Sequence, residues 1–344
     1  MPSLPSTGVF TNTYHSAEDL PKALWDALHS NPRNANVILP QTIKAQAEER
    51  SPANKSRHLS VWITCSSAFG IEFVLAVTEG YMGSYPVFIF TTLPFRALTD
   101  DYIRPCIYKL VRALDKAVPH RRVYSVFAPE PITRLFAEEW TRLTGIANYA
   151  NQPFYAAKIT YCTAKNLDKR NATIDVTLGY NLRPAVPDDI PAIGELCFLF
   201  AVDSFPFCLT RARADEEAAL LVEKKQVWVH EAQNPGQPKE IASIVAFTRN
   251  SENVAAITKV YTNPKWRRRG CAERLVRRVC KHFLTGPGRK ESVVLYVAHD
   301  NRAATNVYHR VGFAGLAKDS PPVEGVDRWL EIGFDFAKVD LGQW

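Results

Sequence analysis

The chain has 344 residues, long for one domain and ordinary for two. Its hydrophobic share of 46% and charged share of 22% are those of a folded globular protein, and no apolar run nears the ~18 residues a membrane-spanning helix needs. The net charge of +7 is local: residues 265–281 carry eight basic side chains against one acid, Glu273, which suits one compact polyanion and argues against a long nucleic-acid track.

In the first half, strand-like stretches run over 61–65, 71–78 and 85–91. A helix follows, with Ile103, Cys106, Ile107, Leu110, Val111 and Leu114 on one face. A strand at 123–127, a second helix through Ile132, Leu135, Phe136, Trp140 and Leu143, and a strand at 155–161 complete it. Gly145 is suited to cap the second helix.

The second half opens with a strand into Leu182-Arg183-Pro184, then a helix capped by Asp188 with Pro191 in its first turn. Strands are expected at 227–231, 240–247 and 254–262, the first two joined by a hairpin turn at 233–238. A helix from Ala272 puts Leu275, Val276, Val279, Cys280 and Phe283 on one face and Arg274, Arg277, Arg278 and Lys281 on the other. A strand at 293–298, a helix over 302–310 and a strand at 329–334 close the chain.

The same order of elements thus occurs twice, without sequence identity between the copies. It predicts a mixed-sheet α/β architecture in tandem, with domains at 1–165 and 175–344 and a polar linker over 164–173. The seven cysteines (Cys65, Cys106, Cys162, Cys197, Cys208, Cys271 and Cys280) form no C-x-x-C pair, so neither a disulfide framework nor a metal site is expected. They read as small buried residues in a reducing cytoplasm. The first residues lack a signal peptide's charged-then-apolar layout, so a cytoplasmic, membrane-free protein is expected.

Chemistry concentrates in Thr258-Lys-Val-Tyr-Thr-Asn-Pro-Lys-Trp-Arg-Arg-Arg-Gly-Cys-Ala-Glu. A strand ends near Tyr261, the chain turns at Pro264, and a helix begins after Gly270. Helix N-termini expose unpaired N–H groups and carry about half a positive charge. A glycine there lets the backbone approach an anion, and Arg267, Arg268 and Arg269 add charged donors. The bland alternative is a surface helix with a basic face. A second segment, Asn301 to Phe313, places Ala304, Val307, Tyr308 and Val311 on one helical face and ends at Gly312.

Together the two segments resemble the GNAT superfamily of N-acetyltransferases. Arg267-x-x-Gly270-x-Ala272 matches its Arg/Gln-x-x-Gly-x-Gly/Ala signature. Asn301, Ala304, Tyr308, Gly312 and Phe313 match its Asn-x-x-Ala-x-x-x-Tyr-x-x-x-Gly-Phe pattern. The resemblance covers residues 180–336 and implies tandem acyl-CoA N-acyltransferase-like domains, with acetyl-CoA as cosubstrate and an amine as acceptor; a small amine is expected, with amino acid, peptide N-terminus and protein lysine left open. It implies that the backbone of Val260, Tyr261 and Thr262 pairs with the pantetheine arm. Amides of Arg268, Arg269, Gly270, Cys271, Ala272 and Glu273 would bind the pyrophosphate beside Arg267. Asn301 and Ala304 would flank the pantetheine, and Tyr308 would protonate the leaving thiolate.

The family's strand glutamate is replaced by Thr258 and Lys259, which leaves the base open among Glu231, Glu252, His299, Asp300 or a water relay. The run 197–207 borders the acceptor site in such proteins, where Asp203 would hold an ammonium. The first half lacks the signatures, and Asp100 and Asp101 at its helix start repel phosphate, so it reads as a degenerate copy serving as scaffold or pocket wall. A monomer or homodimer is expected. The competing readings are a coenzyme A-binding regulatory module without transferase activity and a nucleic-acid binder, the latter disfavoured by the confined charge.

Overall fold

A computed structural model describes residues 8–51, 59–168, 179–318 and 321–342. The first half runs β1 (Phe10–Tyr14), α1 (Lys22–Ser30), α2 (Leu39–Glu49), β2 (Val61–Ser67), β3 (Gly70–Val77), the short strands β4 (Glu79–Gly80) and β5 (Gly83–Ser84), and β6 (Val87–Thr91). It continues through α3 (Asp100–Ala117), β7 (Ser125–Pro129), α4 (Glu130–Thr144) and β8 (Tyr155–Cys162). The second half runs β9 (Gly179–Pro184), α5 (Ile190–Val202), α6 (Arg211–Glu223), β10 (Val227–Gln233), β11 (Glu240–Ala246), β12 (Arg249–Asn250), β13 (Val254–Ala256) and β14 (Lys259–Thr262). Then come α7 (Cys271–Thr285), β15 (Ser292–Ala298), α8 (Arg302–Val311) and β16 (Arg328–Gly333).

The mixed α/β architecture agrees with the sequence, as do most of the expected elements. β1, α1, α2 and α6 were not foreseen. The expected linker is described only as far as Asp168, in a turn; residues 169–173 lie outside the described residues.

The chain divides into two compact units, and the expected boundaries do not match them. Unit 1 comprises residues 1–157 and 327–344, and unit 2 comprises residues 158–326. The last strand of each half is therefore assigned, in whole or in part, to the other half's unit. β16 follows the second half in sequence but pairs antiparallel with β7, Ile332 opposite Val126.

Within unit 1 the strand order is β1-β2-β3-β6-β7-β16, antiparallel except for the β6–β7 pair. β16 gives unit 1 the buried side chains Trp329, Leu330 and Ile332. Its Glu331, fully buried, accepts the Ser125 hydroxyl at 2.7 Å.

Unit 2 holds the antiparallel sheet β14-β11-β10-β9, and β15 pairs parallel with β13. Alternation along the strands sends side chains to two faces. Val227, Val229, Ile244, Ala246 and Tyr261 pack with α5 and α6, while Trp228, Val245 and Val260 pack with α7 and α8. On α7 the residues Leu275, Val276, Val279, Cys280 and Leu284 form the buried stripe, each larger apolar side chain contributing about 1.5–3 kcal/mol of burial.

Two local expectations change. Asp188 does not cap α5. Asp189 accepts the Val186 N–H at 2.8 Å and is held by both guanidinium nitrogens of Arg183, at 2.6 and 3.0 Å. The Leu-Arg-Pro opening is thus a structural clasp, with Glu231 as its second acid at 3.1 Å from Arg183. Arg274 does not lie on the polar face of α7; it is 4% exposed and turned into the unit.

Candidate active site

The stretch expected as one strand over 254–262 is two strands with different neighbours. β13 pairs with β15, and Ile257 still donates to the Val294 carbonyl at 2.9 Å. One residue later Thr258 donates to Ala246 of β11, whose partner in register is Lys259. Two residues facing one make a β-bulge, which bends a strand and increases its twist. The chain leaves β15 there, and β14 has β11 as its neighbour on one side and an open edge on the other.

Strand alternation decides which groups face that edge. Asn263 donates to Ala242 at 3.0 Å, and the Tyr261 carbonyl takes the Ser243 hydroxyl at 2.8 Å. Residues 259, 261 and 263 therefore turn their backbone toward β11, while Val260 and Thr262 turn theirs to the open edge. Of the three residues expected to pair with a pantetheine arm, Val260 and Thr262 have that orientation and Tyr261 does not. Thr262 keeps its N–H for the purpose, since its carbonyl accepts Arg267 Nε at 3.3 Å.

The turn after β14 is built firmly. Trp266, 1% exposed, packs with Ala232, Ala242 and Cys271. Its indole and Lys265 both donate to Glu240, at 3.1 and 2.6 Å. Beyond it Arg268 and Gly270 adopt left-handed backbone, at φ 62° and 72°. Among the described residues, the N–H groups of Arg268, Arg269, Gly270, Cys271, Ala272 and Glu273 have no protein acceptor. Arg274 is the first to find one, at the Gly270 carbonyl. Six successive free amides at the start of a four-turn helix are an arrangement able to receive an anion.

Arg274 holds that loop from within. Its Nη2 donates to the Arg269 carbonyl at 2.7 Å, its Nε donates to His230 Nε2 at 3.2 Å, and its guanidinium lies 4.8 Å from the centre of the Tyr180 ring. Drawing a loop carbonyl inward leaves the outward side to N–H donors. His230 accepts from Arg274 and is therefore unprotonated. Burial, then the Arg274 charge, lowers its pKa to about 4.

The basic patch is more paired than its composition implies. Lys265 is held by Glu240, Arg277 by Glu273 at 3.0 Å, and Arg269 by Asn234 at 3.0 Å. Arg268 is exposed and has no side-chain partner among the described residues. Arg267 bonds the Tyr261 hydroxyl at 3.0 Å and lies 3.7 Å from Asp203. The Glu273 side chain ties Arg277 to Arg310 of α8, leaving only its amide for the loop.

α8 begins with Asn301, whose side chain caps it by accepting the Ala304 N–H at 2.9 Å. Ala304 and Val260 pack against the apolar cluster that contains Tyr308. The Tyr308 ring is 8% exposed and packs 5.6 Å from Phe313. Its hydroxyl has no hydrogen-bond partner among the described residues. Burial, with a smaller effect of Cys280, pushes the phenol's pKa up, so the proton stays on oxygen at neutral pH.

Of the carboxylates considered as a base, Glu231 is occupied by Arg183 and Lys239, and these pairs hold its pKa below the usual range although partial burial opposes them. Glu217 of α6 bonds Lys259 at 2.6 Å. Among the described residues no cluster of three metal-ligating side chains occurs, and no helix is long and apolar enough to cross a membrane. In unit 1, Asp100 and Asp101 stand in the first turn of α3 as the sequence indicated.

Comparison with known proteins bears on the fold and on the family of the second half. Residues 195–313 match the model of the acetyltransferase (GNAT) family. No curated protein matches in sequence. The fold is similar to a tandem GNAT protein from the clavulanic acid biosynthesis pathway (13% identity, 95% of this chain and 98% of that one, TM-score 0.52). It is similar to a GCN5-related N-acetyltransferase from Sphaerobacter thermophilus (15%, 96% and 97%, TM-score 0.52). A Drosophila protein is also alike in fold (13%, 95% and 99%, TM-score 0.55). The second half of this chain therefore carries a domain of the GNAT acetyltransferase family, and the chain as a whole has the fold of the tandem GNAT proteins.

Proposed function

We propose that the protein is an acetyl-CoA-dependent N-acetyltransferase that acts on a small primary amine through one site, in unit 2. The observation that carries this reading is the run of six unpaired amides over 268–273, next to the open edge of β14. Those amides would hold the diphosphate, with Arg267 and Arg268 supplying charge-assisted donors. Val260 and Thr262 would pair with the amide-bearing arm. The arm supplies a thioester whose carbonyl an amine can attack directly.

Tyr308 would give a proton, or a strong hydrogen bond, to the departing thiolate. A thiol ordinarily titrates near ~8.5 and a phenol near ~10. A phenol raised further by burial remains protonated and ready, and full transfer follows only as negative charge gathers on sulfur. Six of the seven cysteines are buried and all are free, which supports a reducing, cytoplasmic setting.

Calorimetry with coenzyme A tests the reading, together with thiol release from acetyl-CoA over a panel of amines. One site per chain and amine-dependent thiol release are expected. Two equivalent sites would overturn the single-site assignment. Binding without transfer to any amine would leave a coenzyme-binding module in its place.

A further inference from the structure

We propose that Asp203 is the anchor for the acceptor's ammonium, and that Arg267 masks it until phosphate draws the guanidinium away. The proposal rests on the reading above and extends it to the class of acceptor and to the order of binding.

Asp203 caps the C-terminus of α5, its N–H bonded to carbonyls of the last turn. A helix C-terminus carries about half a negative charge, so a carboxylate there is electrostatically misplaced and a cation is favoured. No basic residue stands in the last turn of α5 to offset it. Carboxylate and helix end together make a strongly cation-seeking point.

The cation it finds is Arg267, from the phosphate loop. The Tyr261 hydroxyl donates to Asp203 Oδ2 at 3.1 Å and accepts from Arg267 Nη2 at 3.0 Å; Nη2 is itself 3.7 Å from Oδ2. Asp203 Oδ1 has no partner among the described residues, and the side chain is 60% exposed. The nearby Lys259 is bound to Glu217 and lies 5.0 Å from the centre of the Phe200 ring, so its charge is already met.

Arg267 immediately precedes the six free amides. A diphosphate bound there carries more charge than one exposed carboxylate and would take the guanidinium. Asp203 would then keep only the Tyr261 hydroxyl and present a free carboxylate oxygen to an incoming ammonium. Val202 and Phe205 flank it, 59% and 72% exposed, which points to a primary amine bearing an apolar or aromatic group.

Linkage makes the coupling reciprocal. Because the Arg267–Asp203 pair is exposed and long, coenzyme A should raise amine affinity by about 3- to 10-fold. The test is calorimetry on the full chain with 2-phenylethylamine, with and without saturating coenzyme A, which lacks the acetyl group and permits no turnover. In wild type, affinity should rise within that range when the coenzyme is present. In Arg267→Gln the two affinities should converge at the higher value. In Asp203→Asn amine binding should fall at least 10-fold while coenzyme A still binds.

Undiminished 2-phenylethylamine binding by Asp203→Asn would overturn the proposal, as would a wild type indifferent to coenzyme A. So would a coenzyme-loaded wild type that does not bind this amine saturably. In each case coenzyme A binding by wild type leaves the proposed function standing; a wild type that fails to bind coenzyme A removes both.

Discussion

Substituting alanine for Gly270 isolates what the proposed phosphate loop asks of its backbone. Gly270 has φ 72°, a conformation that costs a side-chain-bearing residue roughly 1–2 kcal/mol. The new Cβ would also stand 3.0 Å from Arg274 Nη1. That nitrogen is not the loose end of a surface chain, because its guanidinium is buried and bonded to Arg269 and His230. Hydrogen bonds from a charged donor are worth about 1.5–3 kcal/mol, so partly losing one adds roughly 1 kcal/mol, for a total of about 2–3 kcal/mol. If the loop keeps its shape, the cost appears as lower stability. If the loop relaxes when free and must be restored for the ligand, it appears as a coenzyme A affinity lower by about 30- to 150-fold. Denaturant unfolding and calorimetry on the same samples give the two parts, and their sum should match. Gly270→Asn, which tolerates left-handed backbone better, should lose about 1 kcal/mol less. A summed loss below about 0.5 kcal/mol in Gly270→Ala would refute the strained-loop reasoning.

Tyr308→Phe keeps the ring and its contact with Phe313, so folding and coenzyme affinity should persist while chemistry-limited turnover falls roughly 10- to 1,000-fold; a wild-type rate would make Tyr308 a packing residue only. Changing Arg267 and Arg268 to glutamate should weaken coenzyme A binding strongly, and wild type should not bind duplex DNA saturably near physiological salt; tight, steeply salt-dependent DNA binding would reassign the patch. His230 titrates near 4 when folded and near 6.5 when unfolded, so the unfolded chain alone takes the proton between those values. Its contribution is therefore intact above pH 6.5 and drains away as pH falls toward 4, by about 3 kcal/mol overall. A stability–pH slope identical in wild type and His230→Gln would contradict that.

What periodicity can report is which face of an element is buried, and there the sequence was a good guide. The cap at Gly145 and the hairpin at 233–238 lie where the pattern put them, and so does the stripe on α7 except that Leu284 is buried and Phe283 only half-buried. α6 escaped because its buried positions include Ala214 and Ala218, too small to stand out from their neighbours. The break at Thr258 was illegible because both sides of it are good strand sequence; only a change of partner strand distinguishes them. Arg274 was placed on the polar face by its charge. Its burial depends on His230, 44 residues away, and on a main-chain carbonyl, neither of which a local pattern contains. The left-handed turn ahead of α7 could be expected from Gly270, whereas the exclusion of Tyr261's backbone from the open edge needed the register of β14 on β11.

The division of the chain has a consequence for biosynthesis. Residues 158–326 are contiguous, so all of unit 2 has been translated before β16 leaves the ribosome. Unit 1, most of which is made before unit 2, also needs residues from 327 onward, which are made after all of unit 2. Until β16 arrives, β7 lacks its antiparallel neighbour, and the places of Trp329, Leu330 and Ile332 are unfilled. An unpaired strand edge beside missing core is a template for mispairing with other nascent chains. A chain cut after residue 326 should therefore lose unit 1, and accumulate as aggregate while residues 158–326 still fold.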